Sequence, residues 1–218
     1  MARYFIQALL IAMMAVVATA CSDDSAGSSG GCQNQETQEE ERACERATFL
    51  YSAAVKIEPE ITRNLQDISI QENCPMTGLE YRFKTISSAQ RKILSKSQET
   101  GADVDDINLN DMLRYTLICD VETYSSNVEV LFSALNEKGI TPTALSNTWP
   151  SGDLYSGLNA TLAASHDLDA LEFEVQIHTQ ASYEIKSENH EMYEEYRLDS
   201  TTAEIKCELF NDMSETYE

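Results

Sequence analysis

Between residues 82 and 96 the chain places five cations, Arg82, Lys84, Arg91, Lys92 and Lys96, and no acidic residue. The whole 218-residue protein carries 15 Lys and Arg against 37 Asp and Glu, a formal net charge of -22. A third of its positive charge therefore sits in one short window. Such segregation marks an anion-binding site, because solubilising charge would be scattered. The spacing Arg82-Phe83-Lys84, then Ser88, then Lys92 offers a guanidinium, two ammonium groups and a hydroxyl, the donors that suit a polyphosphate. Two carboxylates complete the chemistry. Asp111 stands just before the apolar run 113–120, and residues 171–178 alternate strictly. Leu171, Phe173, Val175 and Ile177 face one way, and Glu172, Glu174, Gln176 and His178 share the other face. A carboxylate at a strand entrance and another on a neighbouring strand can share one Mg²⁺. With Tyr155 on a short loop, these are the parts of phosphoryl-type transfer, which needs mainly positioning and charge neutralisation.

Periodicity supplies the elements that must hold these groups. Residues 38–70 read as helical, with Ala43, Ala47, Leu50, Ala54, Val55 and Ile57 on one stripe. Pro59 is expected to start a second helix that buries Ile61, Leu65 and Ile68. Asn73-Cys74-Pro75 breaks the pattern. A strand at 76–84 leads to a helix at 86–98, capped by Thr85 or Ser87 and ended by Gly101. An acidic loop at 102–110 precedes a strand at 113–120 and an amphipathic helix at 121–138 closed by Gly139. Strands at 140–148, 154–163 and 170–178 follow, then a charged helix at 181–198 and a last helix at 201–213. Helices interleaved with strands predict an α/β (α+β) fold, a mixed β-sheet of about five strands flanked by helices.

The N-terminus reads as a targeting segment. Arg3, an apolar run over residues 5–18 and small residues before Cys21 make residues 1–20 a signal peptide, too short to span a membrane. Ala18-Thr19-Ala20-Cys21 resembles a bacterial lipobox, whose cysteine is acylated; ordinary cleavage after Ala20 is the alternative. Residues 21–38 have a linker composition and leave 39–218 as one domain with a real core. The expected address is the cell envelope, held by a lipid anchor only, or the exterior if the chain is secreted. The charge excludes general binding to duplex nucleic acid. Six cysteines are present, at 21, 32, 44, 74, 119 and 207. Export permits disulfides. Cys44 with Cys74 is one candidate bridge, Cys119 reads most simply as a buried thiol, and no Cys/His spacing suits zinc.

Residues 82–197 resemble the synthetase domain of the RelA/SpoT-type alarmone enzymes. Arg82, Lys84, Ser88 and Lys92 match that family's Arg-x-Lys-x3-Ser-x3-Lys. Asp111 matches its metal aspartate, and Tyr155-Ser156-Gly157-Leu158-Asn159 approximates its tyrosine loop. Glu174-Val175-Gln176-Ile177-His178-Thr179 matches its Glu-x-Gln-Ile-Arg-Thr strand, and the helix around His190 follows in order. The resemblance implies a nucleotidyltransferase-like synthetase domain that moves pyrophosphate from ATP to the 3′-hydroxyl of a nucleotide or tRNA. Arg82 would clamp the adenine side of ATP, and Lys84, Ser88 and Lys92 would hold its phosphates. Asp111 and Glu174 would hold Mg²⁺, with Glu174 also placed to deprotonate the acceptor. Tyr155, with Asn159 on the same loop, would take the acceptor base, and Gln176 would orient the site. The chain departs from the pattern at Ser151 for lysine, Asn159 for histidine, His178 for arginine and Thr116 for arginine, although Arg114 lies nearby. Together with export, the resemblance implies either a toxin acting inside another cell, with an immunity partner, or a non-catalytic nucleotide-binding or scaffold lipoprotein of the same descent.

Overall fold

The computed structural model of the protein describes residues 38–149, 156–164, 171–198 and 200–216. The expected signal peptide, nearly all of the linker, Tyr155 and Ser151 lie outside the described residues. The described residues sort into two compact units: 38–56 with 83–112, and 57–82 with those from 113 onward.

Helix α1 (Gln38–Gln71) runs unbroken for 34 residues with Pro59 inside it, where the sequence predicts two helices. The proline removes one backbone hydrogen bond and crowds a carbonyl, a cost of about 3 kcal/mol. The apolar stripe explains why the helix continues. Leu50, Ala54, Ile61, Leu65 and Ile68 are all buried, and the step from 54 to 61 is two helical turns, so the phase survives the proline. Each large aliphatic side chain on that stripe contributes about 1.5–3 kcal/mol, enough to outweigh one lost bond.

In the first unit, helix α2 (Ile86–Thr100) starts at Thr85, whose hydroxyl accepts from the Ser88 N–H at 3.2 Å. It ends at Gly101, whose φ of 72° suits glycine in the left-handed cap. The Gln90 amide donates to the Glu40 carbonyl at 2.9 Å, joining α2 to the first turn of α1. Arg46 Nε donates to the Ile107 carbonyl at 2.9 Å, holding the segment that the sequence reads as an acidic loop. That segment contains a short 3-10 turn, Val104–Asp106, and buries Val104, Ile107 and Leu109 with Ala89 and Ile93 of α2.

The second unit is built on a five-stranded mixed sheet in the order β1-β2-β5-β4-β3. β1 (Met76–Thr77) pairs antiparallel with β2 (Arg114–Ile118), and β2 pairs parallel with β5 (Glu172–His178). β5 pairs antiparallel with β4 (Leu158–Ala164), and β4 with the edge strand β3 (Ile140–Asn147). The strand expected at 76–84 shrinks to two residues because Gly78, at φ 64°, turns the chain into a 3-10 turn, Leu79–Tyr81. Tyr115, Leu117, Phe173, Val175, Ile177, Ala160 and Leu162 pack one sheet face into the core. β3 buries only Ile140, and its ladder shifts register between Pro142 and Ala144.

Helix α3 (Tyr124–Glu137) follows β2 and gives way to β3 at Gly139, φ 75°. The charged helix expected at 181–198 divides into α4 (Gln180–Glu188) and α5 (His190–Tyr196). The division falls at Asn189, whose buried amide donates to the Met213 carbonyl and the Thr216 hydroxyl and so anchors α6 (Ala203–Glu215). These two bonds from the amide nitrogen fix the turn.

The register also settles a cysteine pairing. Met76 faces Leu117, so two residues further out Cys74 faces Cys119, and the two are disulfide-bonded with Cα atoms 4.4 Å apart. That separation is the one expected of a directly opposed antiparallel pair. Both the Cys44–Cys74 bridge and the buried Cys119 thiol expected from sequence are thereby corrected. Cys44 is disulfide-bonded as well, and Cys207 is a free, exposed thiol.

Candidate functional site

The first unit brings together three of the predicted groups. Lys84 lies just ahead of the α2 cap, Lys92 lies within α2, and Asp111 closes the segment that follows. Lys84 Nζ and Lys92 Nζ each donate to Asp111 Oδ2 at 2.9 Å. The Lys84 N–H also donates to the Met112 carbonyl at 3.0 Å, which fixes the backbone on either side of the pair. The Asp111 side chain is only 10% exposed and that of Lys84 11%, so the pair is largely withdrawn from water, while Lys92 is 36% exposed. Burial alone would raise the Asp111 pKa. The hydrogen bond from Lys92 and the charge and hydrogen bond of Lys84 outweigh it and hold the carboxyl below the usual range. Ser88 sits in the first turn of α2, one turn before Lys92, and its hydroxyl accepts from Arg91 at 3.1 Å. Two ammonium groups against one carboxylate leave this cluster positive beside a helix N-terminus, the arrangement that receives phosphate.

Asp111 Oδ1 is buried without a hydrogen-bond partner. An orphaned carboxylate oxygen is what a divalent cation would take up, so the donor chemistry fits Mg²⁺. Among the described residues no group of three or more His, Cys, Asp or Glu could enclose a metal by itself. Mg²⁺ binds through one or two carboxylates and completes its shell with water and phosphate oxygens.

In the second unit, the sheet face opposite the core gathers the other predicted residues. Glu174 on β5 lies between Arg114 on β2 and Thr161 on β4, and Gln176 lies between Thr116 and Asn159. The Gln176 amide donates to Glu174 Oε1, and Lys186 on α4 donates to Gln176 Oε1. Burial lowers the Lys186 pKa to about 8; Glu174 opposes that shift and Arg114 adds to it. Arg82 belongs to this unit also. Its Nε donates to Glu58 Oε1 at 2.7 Å and a terminal nitrogen donates to the Leu79 carbonyl, so the guanidinium is already pinned. Sequence reasoning missed Glu58 and Lys186. Lys186 is the lone cation of α4, a signal visible only once α4 is known to lie against β5.

His178 is fully buried at the end of β5, with Nδ1 3.2 Å from the Ser182 hydroxyl. Gly157 gives the ring room, because a Cβ there would stand 3.0 Å from the imidazole, tighter than an ordinary contact. Burial and the nearby Lys186 charge push the His178 pKa from 6.5 down to about 3, against a hydrogen bond with the Ser156 backbone. His178 is therefore neutral at every physiological pH. The sign of the linkage follows. Below about pH 6.5 the unfolded chain gains a proton on this residue and the native one does not, so stability falls with pH by about 1.4 kcal/mol per unit. Unfolding free energies from denaturant titration at pH 7.5 and pH 5 should differ by about 2 kcal/mol more in the wild type than in His178→Gln. Equal differences in the two proteins would refute it. Lys186 and the Tyr183 ring also face the imidazole.

No protein-family model matches the chain, and no curated protein matches it. Solved structures do. The small alarmone synthetase 1 of Bacillus subtilis is 20% identical, with a TM-score of 0.56 over 79% of this chain and 89% of that one. A structure of the same synthetase bound to its product pppGpp is 16% identical, with a TM-score of 0.53 over 79% and 90%. A GTP pyrophosphokinase family protein from Streptococcus pneumoniae is 19% identical, with a TM-score of 0.51 over 84% and 89%. The fold expected from the motifs, that of an alarmone synthetase, is the fold this chain adopts.

Proposed function

We propose that the protein is a nucleotide pyrophosphokinase that transfers pyrophosphate from ATP to the 3′-hydroxyl of a guanine nucleotide. The observation that carries this reading is the doubly paired Asp111, with Lys84 and Lys92 from the Arg-x-Lys-x3-Ser-x3-Lys spacing, in a chain of alarmone-synthetase fold. GDP and GTP are the first acceptors to consider because one structural neighbour carries pppGpp. A tRNA 3′-end is the further candidate.

In this reading Lys84 and Lys92 hold the triphosphate by charge and the Ser88 hydroxyl donates to it. Asp111 would give Mg²⁺ its Oδ1 in the first unit, and Glu174 is the donor proposed in the second. The metal, when bound, neutralises charge that develops on the phosphates. The acceptor 3′-oxygen attacks the β-phosphorus of ATP, Glu174 takes its proton, the bond between the β-phosphorus and the bridging α-oxygen breaks, and AMP leaves. The hydrogen bond from Gln176 fixes the Glu174 carboxylate for that proton. Tyr155 and Asn159 remain the proposed contacts of the acceptor base, and Arg82 that of adenine.

Export stays part of the proposal. The Cys74–Cys119 disulfide suits an oxidising compartment. An envelope holds little ATP, so an exported enzyme of this kind would act after delivery to another cell's cytosol, where an immunity protein would be its natural antagonist. A second reading, a nucleotide-binding lipoprotein without turnover, draws on Arg82 being engaged by Glu58.

Purified protein with Mg²⁺, ATP and GDP, GTP, ADP or tRNA should release AMP, and Glu174→Gln should slow it by about 10²–10⁴-fold. No AMP with any acceptor, together with a thermal shift from ATP, would favour the binding-only reading. Equal rates in wild type, Arg82→Ala and Glu174→Gln would remove the enzyme reading.

A further inference from the structure

The polar sheet face of the second unit holds a charge arrangement that its own residues leave incomplete. Arg114 projects from β2 at the register position of Glu174, and Lys186 reaches the same face from α4. Glu174 Oε1 already accepts from Gln176, and Gln176 Oε1 from Lys186, so the amide is locked with its oxygen toward the ammonium. Glu172, further along β5, accepts from the Thr143 hydroxyl at 2.7 Å. Arg114 Nε is buried with no hydrogen-bond partner, and among the described residues Arg114 makes no ion pair.

Each part of this has a cost. A buried donor without a partner has lost its hydration and gained nothing in return. Two cations close together in a partly dry environment repel, an effect felt by Lys186. Carboxylates are abundant in a chain of net charge -22, yet among the described residues none pairs with Arg114. An anion with several oxygens relieves both costs, because a guanidinium edge and an ammonium can each grip a different oxygen.

We propose that Arg114 and Lys186 form a phosphoryl-binding subsite on the polar face of the sheet, in which Gln176 holds Lys186 in place beside Glu174. The subsite rests on the reading that this face receives a phosphorylated acceptor, and it names two residues of that site that spacing alone does not assign. The shared chemistry is a phosphoryl group, borne either by a guanine nucleotide or by free pyrophosphate.

The test uses the full chain and inorganic pyrophosphate, GDP, guanosine and ATP as probes. On the wild type, amine acylation mapped by mass spectrometry should show Lys186 protected by the phosphorylated probe, with exposed Lys138 labelled throughout. Protection by GDP but not pyrophosphate assigns the site to a nucleotide; protection by pyrophosphate alone assigns it to the free anion. Protection by neither overturns the proposal, and this measurement needs no variant to fold. In calorimetry, Lys186→Met should weaken the protecting anion by about 10–100-fold, the loss of one charge-assisted bond. Lys186→Arg should stay within about threefold, and ATP affinity should not change with either. Anion affinities in Lys186→Met and Arg114→Gln equal to wild type would also overturn it. A chain that releases no AMP but still shows Lys186 protection keeps the subsite while losing the pyrophosphokinase reading.

Discussion

Replacing Cys74 and Cys119 together by alanine should lower the unfolding free energy by about 4 kcal/mol, the loop-closure value for cysteines 45 residues apart. The position of the bridge makes so large an effect reasonable. β1 contributes only two residues to the sheet, and the covalent link sits at its outer end, directly before Pro75. Without it, the two-residue ladder with β2, the Ile118 N–H to Pro75 carbonyl bond and the Asn127 contact with Glu72 must hold β1. Both sulfurs are buried, so alanine also opens small cavities. Guanidinium denaturation of the double variant is the right measurement. Chemical reduction would break the Cys44 disulfide as well. A midpoint unchanged from wild type would show that the bridge closes nothing that the fold needs.

Asp111→Ala should cost about 3–5 kcal/mol, because it removes the carboxylate that Lys84, a nearly buried ammonium, and Lys92 both donate to. Asp111→Asn should cost less, since an amide oxygen still accepts from one lysine. Lys84→Met with Asp111→Leu should recover most of the loss, because an apolar pair of similar volume replaces a desolvated ion pair with little penalty. AMP release separates stability from chemistry. It should fall by at least about a hundredfold in all three variants, including the one that regains stability. If the refolded double variant kept wild-type AMP release, Asp111 would be a structural residue only.

The sequence announces some parts of this molecule clearly and hides others for identifiable reasons. Lys84, Lys92 and Asp111 could be read because helix spacing and a short return segment place them within one unit. The face shared by Glu174 and Gln176 followed from strict alternation, which admits only one register once Phe173 and Val175 are buried. Pro59 misled because its local cost is obvious, whereas the phase of a stripe running past it emerges only on counting turns. Cys119 misled because its apolar neighbours explain it well enough, and only the pairing of β1 with β2 puts Cys74 opposite. Lys186 was out of reach for a related reason. Its partner is ten residues back on another element, and no periodicity connects a strand to the helix that follows it.

The outer strand of the sheet has a bearing on how the protein behaves when crowded. Seven of its eight residues face solvent, so its free backbone row would ordinarily recruit a second copy and grow into aggregates. Pro142 lacks a donor at one position, and the slip beside it kinks the ladder before Ala144. An incoming strand would meet a gap and a twist within a few residues. The border of the sheet therefore resists edge-to-edge growth by its own sequence.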